Sequence, residues 1–289
     1  MSAAPIRLTS PADIVAAVPH LCGFVPEESL VAISLRGKRI GLTMRFDLNA
    51  DRLAEELVRR LEYDGATAAV LVVYAESGSW QSLVAAVQEQ VDVIEALLVR
   101  AGRWTSYTCA EVCCPPDGTP VATAGLLAAV AAFDGRAVLR DRAELVRSLA
   151  PAAVPLSLAA AVPVPAEAFR AALGAPAGRL AASLIVSLQE RRVRDEVAIL
   201  ALEHDETLLA LLLELARQCA APQDVPVCTL IALVAWLRGD GALANVALDR
   251  ALQGDPDSTM ALLLRTGLDA QLPPSEVRAW LRATRRAVA

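Results

Sequence analysis

The segment "RWTSYTCAEVCCPPDGTP" sets three thiols, Cys109, Cys113 and Cys114, close together ahead of a turn that carries Asp117. Thiolates ligate zinc well, but structural zinc sites couple one cysteine pair to a second pair or to histidines. No second pair follows here, adjacent cysteines crowd a single tetrahedral ion, and His20 and His204 are the only histidines. The cluster therefore reads as buried or turn-packing cysteines, with a metal site or thiol chemistry as the alternatives. No cofactor is expected. His20 stands two residues before Cys22, but side chains at that spacing diverge on a helix, which disfavours a nucleophile and its base.

A second candidate is "YAESGSW", where Glu76 and Ser77 fall at a strand-to-helix junction, a place at which α/β folds bind ligands. The segment lacks the glycine patterns of phosphate and dinucleotide loops and the G-x-S-x-G nucleophile elbow. An ordinary βα turn is the simpler reading. The alternative is an enzyme or small-ligand site built from Glu76, Ser77, Cys109, Cys113, Cys114 and Asp117. Arg45 and Asp47, expected on the wet face of a hairpin strand, read as solvated rather than catalytic.

The third candidate is a surface. In "GDGALANVALDRALQGDP", Ala244, Leu248, Ala251 and Pro256 keep the small–large–small spacing and closing proline of a tetratricopeptide second helix. The preceding "PVCTLIALVAWL" lacks the matching glycine and aromatic positions, and no second copy follows. Stable arrays need about three repeats, so a packing hairpin is favoured over a repeat array. If the hairpin does contact a partner, Trp236, Arg238, Asp240, Asn245 and Asp249 are the side chains expected to do so.

These candidates need elements to position them. Ser10 caps a short helix that starts at Pro11. Leu30 to Leu35 and the alternating Ile40, Leu42, Met44, Phe46 and Leu48 form a β-hairpin. Leu53, Leu57 and Leu61 mark a helix stopped by Gly65. "ATAAVLVVYAE" has the continuous apolar character of a strand covered on both faces. A long helix is expected from about Ser79 to Ala101, followed by a strand at "RWTSYTC". Beyond Ala122 the pattern is almost wholly helical: Ala166 to Leu173, Arg179 to Leu202, Asp205 to Ala220, Val227 to Arg238, Ala242 to Gln253, Thr259 to Asp269, and one more capped by Ser275. The fold class is thus an α/β N-terminal domain with a mixed sheet, residues 1–160, followed by an all-α C-terminal domain, residues 161–289, that holds the tetratricopeptide-like hairpin.

Composition narrows function further. Hydrophobic residues make up 55% of the 289 residues and aromatics only 4%, so the core must be built from Ala, Leu and Val. A net charge of -6 with scattered arginines argues against a grip on phosphate backbones, and no nucleic-acid partner is expected. The longest apolar runs are too short or too proline-broken to span a bilayer, so no membrane partner is expected. The N-terminal stretch does not read as a secretory leader, and a reducing cytoplasm is the expected compartment.

"SPADIVAAVPHLCGFVPEESLV", "GLTMRFDL", "LLVRAGRWTSYTCAEVCCPPDGTPV" and "AWLRGDGALANVALDRALQGDP" together resemble an uncharacterised family typical of actinobacteria, the domain of unknown function four-one-nine-two. The resemblance runs from about Ser10 to Pro274 and implies a cytoplasmic protein, with no activity or catalytic residues to carry over. The expected function is a non-enzymatic protein-interaction module acting through the helical half; homo-oligomerisation is compatible with the sequence.

Overall fold

The computed structural model describes residues 8–109, 115–122 and 138–288. Its two compact units are Met1–Arg142 and Ala143–Ala289.

The first unit opens with α1 (Pro11–Cys22). The Asp13 amide donates to Ser10 Oγ (3.2 Å) and the Ser10 amide donates to Asp13 Oδ2 (3.0 Å), a reciprocal cap that satisfies amides left free at the helix start. β1 (Ser29–Arg36) and β2 (Arg39–Asp47) form the expected hairpin, and α2 (Leu53–Tyr63) follows. β3 (Ala68–Tyr74) is buried at every position, as its continuous apolar run requires. The expected long helix after Ser79 is corrected: it divides into α3 (Gln81–Gln88) and β4 (Val93–Arg100). β4 pairs parallel with β3, with Val72 beside Leu97 and Tyr74 beside Val99, which satisfies the edge of a strand that has no wet side.

A turn at Ala101 and Gly102, both at positive φ (46° and 71°), reverses the chain into β5 (Arg103–Ser106), and β6 (Thr119–Pro120) closes the edge. The sheet order is β2-β1-β3-β4-β5-β6, antiparallel except for the β3–β4 pair. Leu30, Ala32, Leu71 and Val73 on one face pack against Leu57, Leu61, Val84 and Val87 of α2 and α3. Asp64, at the end of α2, ties this layer to the hairpin. Its buried carboxylate accepts from Ser34 Oγ (2.5 Å) and pairs with Arg36, while the Leu42 amide donates to Ser34 Oγ (2.7 Å).

The second unit is helical among the described residues: α4 (Arg142–Leu149, whose first residue ends the preceding unit), α5 (Ala166–Ala172), α6 (Ala181–Ser187), α7 (Arg191–Gln218), α8 (Val225–Leu237), α9 (Gly241–Gly254), α10 (Thr259–Asp269) and α11 (Pro274–Val288). The break expected between Leu202 and Asp205 is a kink in α7, where His204 leaves helical geometry at φ -134°, ψ 34°. All thirteen residues of α8 are buried. It is packed by α7, α9, α10 and α11, which makes it the central helix of a bundle. Ala244, Leu248 and Ala251, the residues of the repeat-like spacing, are fully buried in the neighbouring α9. Small residues there let α8 and α9 approach closely, the role of a packing hairpin.

Candidate functional site

Among the described residues, those expected to form a site at the strand ends do not converge. Glu76 and Ser77 are exposed in the loop after β3, level with the far end of β4, where the Arg100 guanidinium donates to the Ala75 and Gly78 carbonyls (3.0 and 2.8 Å). Cys109 lies toward the opposite end of β4. Its amide donates to Ser106 Oγ (3.1 Å), and the Ser106 and Thr108 hydroxyls donate to Glu95 Oε1 (2.7 and 2.5 Å). The five steps from Glu95 to Arg100 correspond to roughly 17 Å along the strand. Asp117 is exposed beside the β6 edge, and its carbonyl accepts from Arg103 Nε (2.6 Å). Cys113 and Cys114 lie outside the described residues. Cys109 is disulfide-bonded, a pairing the sequence left open. Thiol titration of the denatured, unreduced chain is therefore expected to count two fewer thiols than its six cysteines, whereas a full count would refute the bond.

On the opposite face of the sheet Asp47 is exposed, as expected, whereas Arg45 departs from its expected solvated state. Arg45 is mostly covered, with 22% of its side chain exposed; it donates to Asp47 Oδ1 (2.6 Å) and its guanidinium carbon lies 5.9 Å from the centre of the Phe24 ring. Register places Asp47, Ser29 and Tyr74 in one row of that face. Cys22, at the end of α1, is buried and electrostatically coupled to both Arg45 and Tyr74. Burial pushes the Cys22 thiol up to about 11, against the smaller opposing pull of Arg45, and it pushes the Tyr74 phenol up as well. Burial lowers the His20 imidazole. A thiol held protonated at neutral pH is a poor nucleophile.

In the helical unit the residues expected to face a partner have internal work. Trp236 is only 6% exposed, and its indole Nε1 donates to the Leu272 carbonyl (3.2 Å). It is a core side chain, because α8 has no wet face. Asp240 caps α9 by accepting from the Leu243 amide (2.9 Å), and Arg238 pairs with Asp205 (3.3 Å). Asn245 and Asp249 both accept from Arg265 of α10 (2.6 and 2.5 Å).

What the unit does offer is a cleft of about 470 Å³. Leu188 and Gln189 after α6, Arg194 in the first turn of α7, Pro222, Val225 and Pro226 at the start of α8, and Gly254, Asp255, Pro256 and Ser258 in the α9–α10 turn line it. Its walls are held from behind. A methyl group at Gly254 would come within 2.9 Å of Val225 Cγ2, so only glycine allows this approach. Deeper still, Arg250 reaches from α9 to Asp224 (2.8 Å) and to the carbonyls of Leu149, Ala216 (2.9 Å) and Cys219 (2.8 Å).

The lining mixes aliphatic and proline surface with one guanidinium, one carboxylate, one amide and one hydroxyl, and holds no histidine, cysteine, lysine or tyrosine. Gln189 is oriented by donating to the Gln223 carbonyl (2.9 Å), and Arg194 is steadied by Asp195 (3.0 Å). Cys219 and Cys228 are buried, and burial pushes both thiols up to about 12. The arrangement suits shape and hydrogen-bond recognition, and its volume falls in the range of ligand sites. Of these residues the sequence singles out only Pro256, as the closing proline of the repeat-like hairpin; that it meets Pro222, Pro226 and Gly254 in space depends on how the helices pack.

A family model described as "Domain of unknown function (DUF4192)" matches residues 11–181 and residues 157–275. The chain belongs to this family. No curated protein and no solved structure matches it. Among the described residues of this DUF4192 member, no group of three or more His, Cys, Asp or Glu side chains could hold a metal ion, and no helix is long and apolar enough to cross a membrane.

The raised thiols give a pH prediction. Below pH 9, the ordinary thiol value, Cys22, Cys219 and Cys228 are protonated in native and unfolded chains alike, and their contribution to stability is complete. Between pH 9 and about 12 the unfolded chain releases protons that the native state keeps, so stability falls as pH rises. Denaturant titrations from pH 8 to 11 should show this decline, and substituting serine or alanine for the three thiols should flatten it. At pH 8 the same thiols should react with a disulfide reagent only as the protein unfolds; rapid labelling of the native protein would contradict their burial.

Proposed function

We propose that this protein is a non-enzymatic interaction module whose helical unit holds a protein partner at the cleft between α6, the start of α8 and the α9–α10 turn. The observation that carries this reading is the cleft lining. Leu188, Val225 and three prolines supply apolar walls, and Gln189, Arg194, Asp255 and Ser258 supply polar points around them. Such a surface can fix the register of a docked chain through a few hydrogen bonds while apolar contact supplies affinity. Its side chains include no nucleophile paired with a base, which favours binding over turnover.

The test is native mass spectrometry of gently purified protein, wild type beside Ser258→Trp. Ser258 makes no side-chain cap bond to α10, so a bulky substitution there fills the cleft without removing a helix cap. A protein-sized added mass held by the wild type and lost from the variant, with unchanged circular dichroism, is the expected result. A small added mass lost in the same way would replace the protein partner with a small ligand. A bare chain in both, or equal retention by both, would overturn the assignment of the cleft.

A further inference from the structure

No further inference is drawn: the strongest candidate outside the cleft, the side-chain cluster of Arg45 and Tyr74 on one face of the sheet with His20 of α1, carries nothing because its polar atoms that lack partners are buried and nothing in the structure shows a ligand that would meet them.

Discussion

Replacing Arg250 with alanine is expected to destabilise the helical unit by about 3–5 kcal/mol, the range for breaking a buried ion pair from one side. The side chain of Arg250 is 14% exposed and that of its partner Asp224 4%, so neither charge is well placed to regain water. Asp224 Oδ1 already lacks a hydrogen-bond partner, and the alanine would leave Oδ2 in the same state. The carbonyls of Leu149, Ala216 and Cys219 would lose their donor as well. Urea unfolding of the full chain followed by circular dichroism measures the loss. An Arg250→Met, Asp224→Leu double variant should recover much of it, since removing both charges avoids stranding either one. A loss below about 1 kcal/mol for the alanine variant would show that the clip contributes no more than a surface pair.

Trp236→Ala is the second large effect, about 3–5 kcal/mol, the usual cost of truncating a buried aromatic. The indole lies against Gly267 of α10, where an added methyl group would sit 2.6 Å from Trp236 Cη2. Gly267→Ala should therefore also destabilise, by about 1–3 kcal/mol, through overpacking. The pair discriminates between two roles for this tryptophan. As a core residue it lowers the unfolding midpoint when removed, and its fluorescence in the native state reports a dry environment. If it were a partner contact, the alanine would leave the midpoint within about 0.5 kcal/mol of wild type.

Local chemistry was legible in the sequence wherever neighbours in the chain decide it. Ser10 followed by Pro11 marks the start of α1, and the helix expected at Thr259–Asp269 has the boundaries of α10. The continuous apolar run of β3 announced a strand without a wet face. Between Ser79 and Ala101 the signal fails because Leu83, Val84 and Val87 keep a helical spacing that Val91, Ile94 and Leu98 extend. Only the unsatisfied edge of β3 decides that the second group is a strand, and that edge is a property of the sheet. The cleft is harder still. Its lining comes from segments between Leu188 and Ser258, and no spacing rule joins a glutamine after one helix to a proline before another. Arg250 gave no signal at all, because the Leu149 carbonyl it reaches lies 101 residues away in the chain.

The all-round burial of α8 also bears on how this domain can be cut and varied. Linear repeat proteins tolerate gain or loss of a unit because each copy meets only its sequence neighbours. Here α8 is shared by α7, α9, α10 and α11, so no boundary beside it can be severed without opening an apolar cylinder to water. The α8–α9 hairpin is therefore not a transferable cassette. Excised alone it would self-associate, and length changes compatible with the fold belong in the exposed proline-rich approach to α5, remote in sequence from that shared helix.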